Sequence, residues 1–427
     1  METAPSRPVD RTAASSTGYV ALVRRNAHFR RLWLGNLISL LGDWFNTIAL
    51  YTLVSKLTGS PFALGGVFLT KLLPWALASP LAGLLVDRFN RRRLMIGADL
   101  VRAVIVLGFL LIDEPGEVYL VYVLTTLQVV VTAVFQPAKS ASIPNIVRTE
   151  ELLTANALMS ATWSVMLALG AASGGLVTAW LGTAPVFVID SLTYLISAFF
   201  IYRTVIPQQT APVAGGMLRT AGRELLAGWR YLTAHPGVGR IALAKSAWAL
   251  AGGGLVYMLA LIGEAIEPTA QAAGIGWLFA ARGLGTGIGP VLARAIFQDA
   301  RRWPAVLGWS IMLSGLCYAV VGLQRWTYAV VPAIMLAHAA SGANWVLASV
   351  LLQQRTEDAF RGRVFATEWL GVLFSESCSI LAASMLLEWQ VLSLREAVLA
   401  FALVQGLIGL GWLTVIVPRE RQAYSAT

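Results

Sequence analysis

Apolar runs of about twenty residues, each closed off by a polar or charged cluster, recur along the whole chain. A bilayer core needs roughly 20 apolar residues per helix, and twelve runs meet that length or approach it: 32–55, 62–86, 94–112, 118–135, 158–180, 185–202, 241–263, 272–293, 304–323, 327–350, 364–387 and 396–417. They predict an all-α membrane protein with twelve transmembrane helices. The fourth and eighth runs are the least apolar, interrupted by Thr125, Thr126 and Gln128 and by Arg282.

The connecting segments fix an orientation. With the N-terminus in the cytoplasm, the inner segments hold 25 of the 32 basic residues, from Arg7, Arg11, Arg24, Arg25, Arg30 and Arg31 to Arg419 and Arg421. The outer loops hold only Lys56, Arg325 and Arg395, against Asp113, Glu114, Glu117, Glu264, Glu267, Glu388 and Glu396. This is the positive-inside pattern, and it places both termini in the cytoplasm. Residues 1–30 are rich in Ser, Thr and Pro and lack the apolar core and cleavage site of a secretory signal, so a disordered cytoplasmic tail is expected there. The remaining organisation reads as a six-helix bundle at 31–203, a cytoplasmic linker at 204–239, a second six-helix bundle at 240–418 and a short tail at 419–427. Within the linker, Leu218, Leu225, Leu226 and Trp229 fall at helical spacing opposite Arg219, Arg223 and Arg230, which predicts an amphipathic helix on the membrane surface.

The two bundles carry an internal match. Arg148-Thr149-Glu150-Glu151 lies between spans four and five, and Arg355-Thr356-Glu357-Asp358 lies between spans ten and eleven. Equivalent placement on one face points to a parallel six-plus-six duplication, whose halves enclose a site near the bilayer midplane.

Composition narrows the class further. With 57% hydrophobic and 13% charged residues and a mean hydropathy of +0.68, the chain is not a soluble domain, a disordered chain or a coiled coil. Two cysteines, Cys317 and Cys378, exclude a disulfide scaffold and read as small buried hydrophobes. The net charge of +10 follows the topology, so contact with anionic lipid is expected and nucleic-acid binding is not.

Ionisable groups inside spans cost roughly 2.5–3.5 kcal/mol each by insertion scales and mark candidate chemistry. Asp43 on span one and Lys71 on span two share a depth and are expected to pair, with Asp43 the first candidate proton carrier; a permanent structural salt bridge is the alternative. Arg282, Glu376 and His338 on spans eight, eleven and ten form the second candidate coupling cluster, with His338 alone also compatible with packing. Lys245 and Glu368, near the inner ends of spans seven and eleven, read as an inner gate pair or as side chains reaching for the interface. Asp190 on span six reads as structural. Trp44, Trp75, Trp277, Trp345 and Trp369 lie within spans, and with Asn46, Gln128 and Asn344 they are the candidate cavity lining, packing being the alternative for each tryptophan.

After span two comes Gly83-Leu84-Leu85-Val86-Asp87-Arg88-Phe89-Asn90-Arg91-Arg92-Arg93. Asp87 at a helix end can meet a facing helix N-terminus, and the arginines can hold lipid phosphates and carboxylates. The stretch resembles the signature loop of the major facilitator superfamily, with Asn90 where glycine is usual; Gly83, Asp87, Arg88, Arg91 and Arg92 are then the conformational latch, which Asp99 and Arg102 are expected to support. Span five holds Gly170-Ala171-Ala172-Ser173-Gly174-Gly175, similar to the glycine motif of antiporters in that superfamily, or simply a close helix crossing. Phe135-Gln136-Pro137-Ala138-Lys139, Ile143-Pro144, Glu150-Glu151-Leu152, Ala155-Asn156 and Arg361-Gly362-Arg363-Val364 are similar to the branch that contains macrolide and siderophore exporters, with lysophospholipid transporters as relatives.

The resemblance implies proton-coupled efflux of a hydrophobic or amphipathic small molecule by alternating access, at the inner membrane of a bacterium, by a monomer driven by the proton-motive force without a cofactor. The rival within transport is a lipid or lysophospholipid flippase, which a lateral opening between spans five and eight or two and eleven would favour. Outside transport stand a transport-dead sensor or scaffold, and a membrane enzyme, for which three histidines and no HExxH or GxSxG give no constellation. The glycines at 283, 285, 287 and 289 do not make a nucleotide loop, because they lie within a span and Ile288 occupies the third glycine position.

Overall fold

Each apolar run folds as one long helix. The computed structural model describes residues 18–208 and 217–425. The first half comprises α1 (Tyr19–Arg25), α2 (Ala27–Thr58), α3 (Pro61–Arg88), α4 (Arg91–Leu107), α5 (Val118–Ile146), α6 (Leu152–Leu181) and α7 (Thr183–Tyr202). Then come α8 (Met217–Ala234) and the second half: α9 (Pro236–Ile266), α10 (Gln271–Ile296), α11 (Trp303–Leu323), α12 (Val331–Arg355), α13 (Asp358–Glu388), α14 (Leu394–Gly411) and α15 (Val417–Ser425). The twelve spans are α2 to α7 and α9 to α14, so both chain ends lie on one face, here called the terminal face.

Helix ends follow local chemistry. Gly59 closes α2 at φ 60°, and Ser60 then caps α3 by accepting from the Ala63 N–H, with Pro61 in the first turn. Asn90 has φ −63° and its side chain accepts from the Arg93 N–H at 3.0 Å, capping α4. Asparagine therefore serves as a cap in the signature loop, and the turn needs no glycine.

Among the described residues, eleven helices are long and apolar enough to cross a membrane by composition. The twelfth span, α10, falls short because Arg282 and six glycines dilute it. Those glycines let it approach its neighbours closely: a Cβ on Gly276 would stand 2.5 Å from the Ala171 carbonyl oxygen, and one on Gly289 would stand 2.9 Å from Ala339 Cα. A helix shielded by α6, α9 and α12 needs little lipid-facing hydrophobicity.

The halves share a core on only one side. The largest apolar cluster joins Ile48, Tyr51 and Phe68 of the first half to Tyr257, Leu278 and Phe279 of the second, towards the face opposite the termini. Nearer the terminal face the apolar clusters separate, one confined to the first half around Phe29, Met95 and Phe135, another to the second around Ile241, Leu351 and Val364. Burial agrees: Phe45–Thr52 of α2 and Ala251–Ala260 of α9 are buried on every side, whereas the terminal portions of both helices alternate. The molecule is closed on the opposite face and parted on the terminal one.

Several expectations at the periphery need correction. Residues 19–30, expected within the tail, are helical apart from Asn26 between α1 and α2, with Leu22 and Phe29 buried; residues 1–17 lie outside the described ones. The tail expected at 419–427 contains α15, whose buried Glu420 accepts from Arg240 Nε at 2.6 Å and Arg355 Nη1 at 2.5 Å. Glu420→Ala should lower stability in detergent by about 2–3 kcal/mol, the scale of losing charged hydrogen bonds at a buried acceptor; an unchanged melting temperature would show that α15 is not clasped. Helix α8 packs on α13, with Thr367 donating to the Leu225 carbonyl, and leaves Leu226 and Trp229 exposed; the side chains of Leu218 and Arg219 lie outside the described set. Cys317 is buried as expected, but Cys378 is exposed, in line with Phe374 on the outer surface of α13, where an apolar side chain meets lipid rather than a core.

Candidate functional site

The first half buries a charged network in its interior. The Asp43 carboxylate accepts from the Tyr194 hydroxyl. That hydroxyl in turn accepts from Gln128 Nε2 at 2.9 Å, and Gln128 Oε1 accepts from Asn46 Nδ2 at 3.3 Å. Arg102 lies between the Tyr194 and Phe135 rings, its guanidinium carbon 4.4 Å from each centroid, and pairs with Asp99 one turn earlier on α4. Lys139 donates to Asn36 Oδ1 at 2.6 Å, and Asp190 is fully buried beside Thr193. Three acids, Asp43, Asp99 and Asp190, are thus balanced by three bases, Lys71, Arg102 and Lys139, on α2 to α5 and α7.

Lys71 does not pair with Asp43. Its Nζ donates to Thr47 Oγ1 at 2.7 Å, and that hydroxyl donates to the Asp43 main-chain carbonyl at 2.7 Å. The two residues share a depth, but the carboxylate turns towards α7 while the ammonium meets α2 a turn away. Nor do Asp99 and Arg102 support the loop after α3; they point into the bundle, towards α5 and α7. Arg91 binds the Ala141 carbonyl at 2.7 Å and Arg92 the carbonyls of Ile201 and Tyr202, so these two loop arginines hold main-chain oxygens of their own half. Arg88 is exposed, and a Cβ on Gly83 would meet nothing within 4 Å; the Asp87 side chain lies outside the described set.

In the second half the expected cluster is joined by no hydrogen bond or ion pair among the described residues, although Arg282 lies within electrostatic reach of both Glu376 and His338. His338 is buried, its Nε2 2.8 Å from the Tyr318 hydroxyl, inside the bundle between α9 and α11. Arg282 and Glu376 form no ion pair. Arg282 lies 5.7 Å from the Phe279 centroid with Nε buried and unpartnered, and Glu376 backs onto Gly253 of α9. Lys245 and Glu368 do pair, at 3.0 Å and almost fully buried, but both belong to the second half. They join α9 to α13 within the second half and do not link the two halves here. Lys245 also lies 5.3 Å from the Trp345 centroid, and Trp345 makes edge contacts with Trp248 and Trp369.

The candidate lining residues do not share one wall. Trp44 lies 6.4 Å from Phe279 across the halves, and Trp345 and Trp369 belong to the aromatic group around Lys245. Asn46 and Gln128 are members of the charged network. Asn344 donates to the Leu307 carbonyl on α11, Trp75 packs on Ala78 and Ala133, and Trp277 is exposed.

Closure on the opposite face has a definite structure. Tyr51 stacks on Phe68 at 4.3 Å and lies 5.8 Å from Phe279, while Phe68 meets Tyr257 edge-on at 5.5 Å. Above this seal, Tyr257 donates to the Pro61 carbonyl at 2.7 Å, and Glu388 accepts from Ser60 Oγ at 2.7 Å and the Phe62 N–H at 3.1 Å. The glycine motif of α6 serves both kinds of crossing: a Cβ on Gly174 would stand 2.9 Å from Phe45 Cα within the first half, and one on Gly175 would stand 2.9 Å from Gly276 Cα across the halves, as part of the same closure. Glu388→Ala should raise the population open on this face about fivefold, equivalent to about 1 kcal/mol for two partly exposed hydrogen bonds. The labelling rate of Ser384→Cys, in a background lacking Cys317 and Cys378, measures it; an unchanged rate would show that Glu388 does not hold the closure.

Tyr194, Lys139, Asn36 and Thr47 are absent from the sequence-derived site. A tyrosine or threonine in an apolar run reads as packing, though Asp190 one turn before Tyr194 was a usable signal.

A family model described as a transmembrane secretion effector matches residues 17–359. The chain is 27% identical over 361 residues to the enterobactin exporter EntS of Shigella boydii, covering 81% of this chain and 82% of that protein. It is 32% identical over 126 residues to macrolide efflux protein A of Streptococcus pyogenes, covering 29% of this chain and 31% of that protein. For several of the curated relatives it matches, the chain spans under half of their length, from 31% to 47%. Among solved structures, the nucleoside transporter NupG superposes with a TM-score of 0.71 at 13% identity, covering 90% of this chain and 99% of that one, which identifies the twelve-span fold.

Proposed function

Because the chain belongs to the transmembrane secretion effector family of the major facilitator superfamily, we propose that it exports hydrophobic or amphipathic small molecules in exchange for protons. The terminal face is cytoplasmic, the membrane is the inner membrane of a bacterium, and a single copy works on the proton-motive force. The observation that carries this reading is the Asp43 carboxylate, half-buried within a span, held by a neutral tyrosine hydroxyl and, among the described residues, without an ion-pair partner. Protonation there removes one of three acids from a balanced set and leaves an excess positive charge inside the first half. Each state of an alternating transporter solvates that excess differently, so the proton shifts the population between them. Relatives named for a macrolide and for enterobactin favour an amphipathic organic cargo, and Trp345 and Trp369 offer aromatic surface for one.

A second reading, transfer of a lysophospholipid, is favoured by the exposure of Leu73 and Leu77 on α3 and of Trp369 and Phe374 on α13, the pair of spans where a lateral opening would lie. Against it, the α6–α10 seam is closed from Gly175 to Gly283, where a Cβ would stand 2.8 Å from Ala168 Cα. Proteoliposomes challenged with macrolides, siderophores, amphipathic cations and lysolipids separate the two. Proton movement driven by at least one of the first three classes is expected; lysolipid transfer with no proton signal from any compound would overturn the export reading.

A further inference from the structure

At the terminal face of the second half, the end of α10, the turn into α11 and α15 enclose a cavity of 520 Å³, within the range of about 300–1,000 Å³ typical of small-molecule sites. Arg301, Arg302 and Arg421 stand around it, all exposed. Among the described residues, the side chains of Arg301 and Arg421 have no ion pair, and Arg302 has only Asp299 at 3.9 Å. The acid in the lining, Glu420, is already held by Arg240 and Arg355. Three guanidinium groups therefore line one cavity, and among the described residues their one ion-pair partner is the loose contact of Arg302 with Asp299.

The rest of the wall is apolar: Phe297, Val306, Trp309 and Val417. It is also preformed, since the indole N–H of Trp303 donates to the Phe297 carbonyl at 2.8 Å and that of Trp412 to the Pro304 carbonyl at 2.9 Å. A single π-helical turn, Trp412–Ile416, sets α15 off from α14 and brings its charged end to the cavity. From the mouth, Trp309, Leu313, Leu316 and Val320 form one exposed apolar ridge along α11 into the membrane. A basic head site continuous with an apolar track matches one kind of ligand, an amphiphile with an anionic head.

We infer that this cavity binds one anionic phospholipid, its head-group phosphate on Arg301, Arg302 and Arg421 and an acyl chain along Trp309 and the α11 ridge. The lipid is a resident of the second half and is not cargo, and the site stands independently of the exported compound.

Each basic residue near an anionic lipid surface contributes about fivefold in affinity. Native mass spectrometry of the full chain in mild detergent, titrated with phosphatidylglycerol or phosphatidylcholine of equal chain length, should show one phosphatidylglycerol retained at least about tenfold better. The triple variant Arg301→Gln, Arg302→Gln, Arg421→Gln should bring that ratio close to one. The triple variant Arg24→Gln, Arg25→Gln, Arg93→Gln, an equal charge change at exposed arginines of the same face, should leave it unaltered. Equal losses in both variants, or no preference in the parent, would reduce the cavity to general attraction by a basic face. Displacement of the lipid by millimolar inorganic phosphate alone would make free phosphate the ligand and overturn the lipid assignment. A reading without any charge change comes from brominated-chain phosphatidylglycerol, which should quench more fluorescence in the parent than in Trp309→Phe, beyond the loss of one tryptophan; equal fractional quenching would contradict the acyl track.

Discussion

Asp43→Asn is expected to abolish coupled accumulation while leaving a folded protein that still binds cargo. The amide oxygen can accept the Tyr194 hydroxyl as the carboxylate does, so the local geometry survives, but the side chain can no longer take up a proton. One charge moved across 100 mV provides about 2.3 kcal/mol, or near fifty-fold accumulation; without the carrier, the ratio should fall to about one. Downhill exchange of cargo across the same vesicles should continue, because alternating access itself needs no titration at Asp43. Glu376→Gln should behave like the parent, since among the described residues Glu376 makes no ion pair and it lies outside the first-half network. An Asp43→Asn variant that still accumulates cargo like the parent, or a Glu376→Gln variant that alone loses coupling, would move the proton site to the second half.

Arg102→Met is expected to be the most destabilising single change in the network, at about 3–5 kcal/mol. Arg102 is 1% exposed, pairs with Asp99 and lies against two aromatic faces. Removing it leaves Asp99 ionised, or forced to protonate, where no water reaches, and forfeits cation–π contacts that in a dry site are worth about 2 kcal/mol. Replacing both partners at once, Asp99→Asn with Arg102→Met, should recover a large part of the loss, because the expensive state is the lone charge rather than the absent pair. Thermal unfolding in detergent of the parent, both single variants and the double variant closes the cycle. Losses that simply add would show that Asp99 and Arg102 act independently.

Much of this architecture was legible because the bilayer imposes a length on each span and a charge bias on each loop. The halves were readable from one four-residue match, and its two copies do occupy the turns between α5 and α6 and between α12 and α13. They act differently: Arg148 pairs with Glu151 at 2.7 Å, whereas Arg355 reaches Glu420 at the end of the chain. Span eight was the ambiguous element for a physical reason, since hydropathy reports lipid contact and α10 is shielded by other helices.

The site was legible in depth but not in direction. Counting residues along a span places Asp43 and Lys71 at one level; the rotation of each helix, which sends Asp43 to Tyr194 and Lys71 to Thr47, is set by packing. The same limit explains His338, at the right depth for Arg282 and Glu376 but turned towards Tyr318. Lys245 and Glu368 were correctly matched, but that they lie within one half, almost fully buried, was not readable from their depth. Arg102 was visible as half of an intrahelical pair, but only the fold shows it stacked against Tyr194, in contact with the group that holds Asp43.

The most direct test of proton exchange uses a compound identified by the panel, in proteoliposomes given a pH gradient at zero membrane voltage. The parent should accumulate the compound when the gradient is imposed, and lose it when an exchanging ionophore collapses the gradient. Equal movement of the compound with and without the gradient would contradict proton coupling, whatever the cargo proves to be.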